Sequence, residues 1–159
     1  MTRPLLIIFL TIFVNLVGFG IIIPLLPFYA ETFGASPLAI GLLFAVYSAC
    51  QLVAAPALGD LSDKYGRRPV LIFSLVGTVV SFVMMAMAHS IAMLFAARIV
   101  DGLSGGNIST ARAYVADVTE PKDRAKAYGL IGAAFGMGFI MGPALSGLLA
   151  KYKIGRAHV

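Results

Sequence analysis

Long uncharged stretches separated by short charged segments dominate the hydrophobic pattern of this chain. Four stretches contain no Asp, Glu, Lys or Arg, namely 4–30, 32–59, 69–97 and 127–150. A fifth stretch, 90–118, is apolar but carries Arg98, Asp101, Arg112 and Asp117. Because ~20 helical residues cross the hydrocarbon core of a bilayer, the pattern predicts transmembrane helices at about 4–30, 38–58, 70–88, 91–116 and 125–150. These runs are far longer than the ~10-residue segments of membrane β-barrels, so we expect an all-α membrane protein with five transmembrane helices.

Composition supports this class and excludes others. The 159 residues are 60% hydrophobic and 12% charged, with a mean hydropathy of +0.95. An ordinary soluble domain has roughly 25% charged residues, and a disordered chain needs low hydrophobicity. The single cysteine, Cys50, excludes a disulfide scaffold.

Basic residues alternate between the two ends of the predicted helices. Seven lie before the first span or in the second and fourth connections: Arg3, Lys64, Arg67, Arg68, Lys122, Arg124 and Lys126. The other two connections, 31–37 and 89–90, have no Lys or Arg. The positive-inside rule therefore predicts a multi-pass protein of the cell inner membrane with a cytoplasmic N-terminus. The net charge of +5 follows from this topology and not from nucleic-acid binding, since no basic patch is interleaved with base-stacking aromatics.

The connection between the second and third spans carries the first candidate functional motif, GDLSDKYGRRP at 59–69. Its two glycines permit a tight reversal between antiparallel helices, and its acidic and basic side chains can link neighbouring helix ends. The simpler alternative is a turn that merely carries positive-inside charges. The candidate residues of this cytoplasmic gating loop are Gly59, Asp60, Asp63, Gly66, Arg67 and Arg68.

The fifth span carries a second motif, G-x8-G-x3-G-P-x3-G, formed by Gly129, Gly138, Gly142, Pro143 and Gly147. Glycines at this spacing let another helix approach closely, and proline can kink the helix. A generic small-residue packing face is the alternative. Two GxxxG pairs, Gly132/Gly136 and Gly138/Gly142, lie in the same span.

Ionisable and polar residues within the spans are the candidates for the transport pathway. Arg98 and Asp101 lie about 12 and 16 Å along the fourth span, so both fall inside the hydrocarbon, where charge is costly and suggests function. Their i, i+3 spacing lets them pair, and a purely structural ion pair is the alternative. Asn15 lies near the midplane of the first span. It contacts substrate or hydrogen-bonds between helices, and the sequence does not separate these two roles.

Taken together, these motifs resemble the major facilitator superfamily, in particular its drug/proton antiporters of the tetracycline-resistance-like subgroup. The loop resembles the family's G-x-L-x-D-x-x-G-R-R/K pattern, and Arg98 with Gly102 matches its R-x-x-x-G motif. The fifth span resembles the antiporter signature, with Ser146 in place of one glycine. Residues 15–27 resemble helix 1 of tetracycline/proton antiporters, which carry aspartates where this chain has Asn15 and Ser81.

The resemblance implies that residues 1–153 form five helices of an N-terminal six-helix bundle, one partial half of a twelve-helix transporter. It implies proton-coupled efflux of small amphipathic compounds by alternating access, with the proton gradient as energy source and no cofactor. Asn15, Arg98 and Asp101 would border the substrate and proton pathway, and Asp117 would join a charge cluster with the loop. The expected partners are the lipid bilayer, a small-molecule substrate and the remaining helices of the same chain.

Two other functions stay open at this point: a nutrient uptake symporter of the same superfamily, and a membrane-embedded interaction fragment that transports nothing. An enzyme is not expected, since the sequence has no zinc spacing, Walker loop, nucleophile elbow or dinucleotide fingerprint.

The last six residues, IGRAHV at 154–159, form a separate case. The string ATC-GGA-AGA-GCA-CAC-GTC encodes them and resembles a common sequencing adapter. We therefore expect 154–159 to be non-native and exclude them from the fold; a genuine hydrophilic outer loop is the alternative.

Overall fold

The computed structural model describes residues 3–105 and 107–154. The described chain is helical, and none of it forms a β-strand. The helices are α1 Arg3–Glu31, α2 Pro37–Tyr65, α3 Arg67–Ala86, α4 Ile91–Ser104, α5 Asn107–Val118 and α6 Arg124–Ile154, with a 3-10 turn at Pro121–Asp123. Of the six C-terminal residues discussed above, Ile154 ends α6, and 155–159 lie outside the described residues.

Five segments of the described chain are long and apolar enough to cross a membrane, which confirms the predicted fold class. They are Leu6–Glu31, Pro37–Tyr65, Arg67–Ala86, Ile91–Val118 and Pro121–Leu148. Large apolar side chains point away from the protein on these segments, including Leu38, Leu52 and Ile140, each more than 70% exposed. Such surfaces would be unstable in water and are stable against lipid.

Serine caps begin two of the helices, α2 and α4. Ser36 accepts a hydrogen bond from the Ala39 N–H at 3.2 Å, and Pro37 occupies the first turn of α2. Ser90 accepts from the Met93 N–H at 3.3 Å and starts α4. Each cap satisfies an N–H that the helix itself cannot pair.

The reversal between α2 and α3 occurs at Gly66 alone, so the expectation that Gly59 shares it is wrong. α2 continues without a break to Tyr65, which leaves Gly59 in the helix interior. Gly66 has φ +94° and ψ 156°, a conformation that is essentially restricted to glycine. One residue in this conformation supplies the whole change of direction, and the residues before it can remain helical.

The fourth predicted span is two helices and not one. α4 ends at Ser104, Gly105 is not helical, and α5 starts at Asn107. The Gly105 N–H donates to the Gly102 carbonyl at 3.1 Å, which closes the last turn of α4. Because glycine has a low helix propensity, ending α4 at Gly105 costs little helix stability.

Residues Ala30–Asp117 form one compact unit that contains α2, α3, α4 and most of α5. Its helices approach closely because glycines lie at the crossings. A Cβ atom on Gly102 would lie 2.6 Å from the Tyr47 carbonyl oxygen, and one on Gly77 would overlap Ser104. α4 therefore lies with its backbone almost against α2 and with Ser104 against α3.

Residues 3–29 and 118–154 of the described chain form the second compact unit, in which α1 packs on α6. A Cβ on Gly142 would lie 2.5 Å from the Gly20 Cα, and one on Gly138 would lie 2.6 Å from the Leu16 Cβ. Phe139 meets Phe19 edge-on, with 6.2 Å between ring centroids. This contact is a small-residue helix crossing of the kind that membrane helices use for close approach.

The seam between α1 and α6 leads to a first prediction. Gly142→Ala places a methyl group against the Gly20 backbone, which cannot move aside as a side chain can, so we expect a loss of about 1–3 kcal/mol of unfolding free energy. Gly136→Ala is the matched control, since a Cβ there meets nothing within 4 Å. The measurement is the unfolding free energy of the detergent-solubilised protein, and equal effects of the two variants would contradict the packing.

Candidate functional site

An ion pair lies buried in the compact unit of α2, α3 and α4. Arg98 Nη1 donates to Asp101 Oδ2 at 3.0 Å, one turn apart on α4. The Arg98 side chain is fully inaccessible to solvent and the Asp101 side chain is 7% exposed. A charge pair this deep within an apolar span is retained only when its geometry and its further hydrogen bonds offset the lost hydration.

α2 holds the guanidinium independently of the carboxylate. Arg98 Nε donates to the Leu43 carbonyl at 3.4 Å, and the guanidinium lies 4.0 Å from the Tyr47 ring centroid and 5.8 Å from that of Phe44. Cation–π contacts at these distances stabilise a desolvated cation. Arg98 Nη2 has no hydrogen-bond partner among the described residues. The ion pair is consequently a single hydrogen bond, not the two-bonded fork that arginine and a carboxylate often form.

α3 supplies hydroxyl groups to the carboxylate side of the pair. The hydroxyl groups of Thr78 and Ser81 lie close to the Asp101 carboxyl group. Ser81 is fully buried, and its Oγ donates to the Thr78 carbonyl at 2.9 Å. Asp101 therefore faces a cation on one side and neutral hydroxyls on the other.

Two residues of α2 belong to this site although the sequence did not single them out. Tyr47 stacks on Arg98, and Gln51 Nε2 donates to the Gly105 carbonyl at 3.0 Å, at the end of α4. The side chain of Gln51 also lies beside the Tyr47 hydroxyl group. Gln51 is the most polar side chain in the uncharged stretch 32–59. Its i, i+4 spacing from Tyr47, which puts both on one face of α2, is the feature of the sequence that could have pointed to them.

Asn15, the third residue predicted for the pathway, lies half-buried on α1 in the other compact unit. Its neighbour Leu16 is buried against Gly138 of α6. Within its own unit, Asn15 therefore lies beside the α1–α6 seam.

A second charge cluster lies at the cytoplasmic end predicted for α2 and α3, and Arg67 is its centre. Arg67 Nη1 donates to Ser62 Oγ at 2.6 Å and pairs with Asp63, while Nε donates to Asp117 Oδ2 at 2.9 Å. Ser62 is buried and donates to the Gly59 carbonyl at 2.8 Å. The structure thus brings Asp63, Arg67 and Asp117 together and ties the end of α2 to the end of α5. The other charged residues of the motif, Asp60, Lys64 and Arg68, are exposed.

The glycine motif of α6 divides into two groups. Gly138, Gly142 and the ring of Pro143 lie at the α1 contact. A Cβ atom added to Gly129 or Gly147 would meet no heavy atom of the described residues within 4 Å, and the same holds for Gly132 and Gly136. Ser146, which replaces a glycine of the family signature, is 2% exposed and continues the buried face. Within the described residues, no group of His, Cys, Asp and Glu could hold a metal ion.

The buried pair yields a second prediction, on stability. Arg98→Leu leaves Asp101 buried without its cation, and we expect a loss of about 3–5 kcal/mol. Adding Asp101→Asn removes the stranded charge, so the double variant should recover much of that loss. Unfolding free energies of the single and double variants in detergent measure the coupling. Losses that simply add would show that the two charges do not interact.

Comparison with known proteins places these features in a family. The model of the Major Facilitator Superfamily matches residues 8–155. The tetracycline resistance protein, class H, of Pasteurella multocida is 40% identical over 94% of this chain and 38% of its own length. The class C protein of Escherichia coli is 40% identical over 96% of the chain and 39% of its own length. The quinolone resistance protein NorA of Staphylococcus aureus is 31% identical over 95% and 39%.

The chain spans about two fifths of the length of these curated relatives. Their identity over most of the chain confirms the resemblance to the tetracycline-resistance-like subgroup. With the five apolar helices, it makes the protein a multi-pass membrane protein. The chain belongs to the Major Facilitator Superfamily.

Proposed function

We propose that the full-length protein containing this chain exports small amphipathic compounds in exchange for protons, by alternating access. Relatives named for tetracycline resistance and quinolone resistance support export of drug-like compounds. The observation that carries proton coupling is the ion pair of Arg98 and Asp101, buried inside a membrane-spanning segment. An ionisable carboxylate at that depth is a candidate proton carrier by default.

The contacts around Arg98 suit a carboxylate that takes up and releases a proton. When Asp101 becomes neutral, the guanidinium keeps its hydrogen bond to the Leu43 carbonyl and its contact with the Tyr47 ring. Neutralising Asp101 therefore does not strand a bare cation in the apolar interior. Only one hydrogen bond links the two charges, so the energy lost on protonation is smaller than for a two-bonded pair.

The remaining motifs have proposed roles in the transport cycle. The cluster around Arg67 would hold the cytoplasmic ends of α2 and α5 together in the outward-facing state, since it joins Asp63 and Asp117. The contact of Gly138, Gly142 and Pro143 with α1 would limit leakage along the helix seam. Asn15 would border the substrate cavity in the assembled transporter. Alternating access places a central site between two halves, so further helices of the same polypeptide would supply the opposite wall.

The proposed setting follows from the charge pattern. Seven basic residues at one end of the helices favour an orientation in the cell inner membrane with the N-terminus in the cytoplasm. The lipid bilayer is the surrounding partner, the proton gradient is the energy source, and no catalytic or cofactor-dependent chemistry is proposed.

Asp101→Asn in the full-length protein tests the proposal. We expect proton-driven uptake of substrate into inverted membrane vesicles, which corresponds to efflux from the cell, to fall to background, because the amide cannot carry a proton, while membrane insertion stays intact. Glu120→Gln is the control, since this carboxylate is exposed and pairs only with the equally exposed Lys122 among the ion pairs of the described chain. Efflux by Asp101→Asn at the parent rate would refute the assignment.

The same vesicles test the direction of transport. An imposed proton gradient drives substrate against the proton flow in an exporter and with it in an uptake symporter. Accumulation in the same direction as the protons would replace the export proposal with nutrient uptake.

Residues 1–153 expressed alone should insert in the membrane and transport nothing, because the opposite wall of the cavity is contributed by other helices. Transport of a fluorescent substrate by cells that make only this segment is the measurement. Activity above the empty-vector level would contradict the proposed two-half cavity.

A further inference from the structure

We infer that Tyr47 is a positioning residue of the buried ion pair: the face of its ring holds the Arg98 guanidinium on α2 and stabilises it more strongly when Asp101 is neutral. The inference rests on the proton-coupled function proposed above and names a residue that this function would require. It starts from the guanidinium carbon of Arg98, which lies over the Tyr47 ring at 4.0 Å from the ring centroid.

Hydrogen bonds replace only part of the hydration that the Arg98 side chain has lost. This side chain is inaccessible to solvent. Its Nε donates to the Leu43 carbonyl and its Nη1 donates to Asp101, while Nη2 has no hydrogen-bond partner among the described residues. A guanidinium has five N–H donors, so these two bonds leave much of its donor capacity unused. The contact with the Tyr47 ring is therefore a substantial part of what stabilises the cation, because an aromatic face attracts a cation most strongly where water is excluded.

The backbone of α2 fixes the position of this ring. Leu43 and Tyr47 are one helical turn apart, so both hold the guanidinium from the same face of α2. A Cβ atom on Gly102 would lie 2.6 Å from the Tyr47 carbonyl oxygen, which shows that α4 lies directly against this turn. The Phe44 ring is farther from Arg98, at 5.8 Å, near the limit of about 6 Å for such contacts. Tyr47 is thus the ring that determines where the guanidinium lies.

The charge of Asp101 changes how strongly the ring attracts Arg98. A carboxylate beside the guanidinium offsets part of its positive charge and weakens its attraction to the ring. When Asp101 takes up a proton, that offset disappears, and the contacts with the Leu43 carbonyl and the Tyr47 ring remain. The ring contact then becomes stronger as the ion pair becomes weaker. Tyr47 would in this way keep Arg98 in place in both protonation states of Asp101.

A series of fluorinated rings at position 47 of the full-length protein tests this inference. Tyr47→Phe removes the hydroxyl group and keeps the ring. One, two or three fluorine atoms on that phenylalanine then withdraw electron density from the ring face with little change of shape. We expect the unfolding equilibrium constant in detergent to rise with each fluorine, to roughly fivefold above that of Tyr47→Phe with three. The rise should be steeper in the Asp101→Asn background, where no carboxylate offsets the charge of Arg98.

The double variant Arg98→Leu with Asp101→Asn is the matched control, because it keeps the ring at position 47 and removes the cation. Its unfolding equilibrium constant should not depend on fluorine. Phe44 serves as the distance control, and the same fluorine atoms there should have a smaller effect, since that ring lies 5.8 Å from the guanidinium.

Transport supplies the second measurement. The initial rate of proton-driven substrate uptake into inverted vesicles should fall along the same series at position 47. A ring that only fills space would not respond in this way, since fluorine makes the ring neither smaller nor more polar toward its apolar neighbours.

Three outcomes would overturn the inference: no dependence on fluorine in the parent background, an equal dependence with and without Arg98, or no steeper dependence in Asp101→Asn. The two measurements separate this result from the transport proposal. The expected stability series in a protein that does not exchange protons for substrate would refute proton-coupled export and leave the contact of Tyr47 with Arg98 standing. Proton-coupled uptake at a constant rate along the series would refute the role of Tyr47 alone.

Discussion

The packing of α2, α3 and α4 depends on one fully buried arginine, Arg98. Removing a guanidinium from water costs several kcal/mol unless other groups replace its hydration. Here α2 supplies a backbone carbonyl and an aromatic face, and α4 supplies the carboxylate. These contacts require α2 and α4 to lie almost backbone to backbone, which Gly102 allows because any larger residue would strike the Tyr47 carbonyl. Gly102 and Arg98, the two residues of the family motif, are therefore both needed for the close packing of α4 on α2.

The two charge clusters of the described chain differ in environment and hence in strength. The cluster around Arg67 is partly exposed, with Asp63 and Asp117 each more than half accessible. Solvent screens such pairs, and their net contribution to stability is small. The pair of Arg98 and Asp101 has almost no solvent access. A change in its charge therefore alters the electrostatic energy of its neighbours with little screening by water. The exposed cluster suits reversible association of helix ends, and the buried pair suits a proton-dependent change.

Much of the fold could be predicted from the sequence because lipid imposes a simple rule on it. Residues that face hydrocarbon must be apolar, so the charge-free stretches marked the spans and their connections.

The sequence does not predict the interruption after Ser104 although adjacent glycines lie there, because the surrounding residues keep the apolar character of a single span. Tyr47 and Gln51 could not be placed at the site, because their contacts depend on how α2 and α4 cross, which composition does not encode. The contacts of the α6 motif with α1 involve its Gly138–Pro143 part.

The break at Gly105 changes the mechanical unit that carries the buried carboxylate. Gln51 fastens the end of α4 to α2, while Arg67 fastens the end of α5 through Asp117. A helix transmits rotation along its axis only while its hydrogen-bond ladder is continuous, and here that ladder ends with α4. A displacement of Asp101 consequently moves α4, which has 14 residues, and not the whole span of 28 residues. The half of the span formed by α5 has its own anchor, so α2 holds one half through Gln51 and α3 holds the other through Arg67.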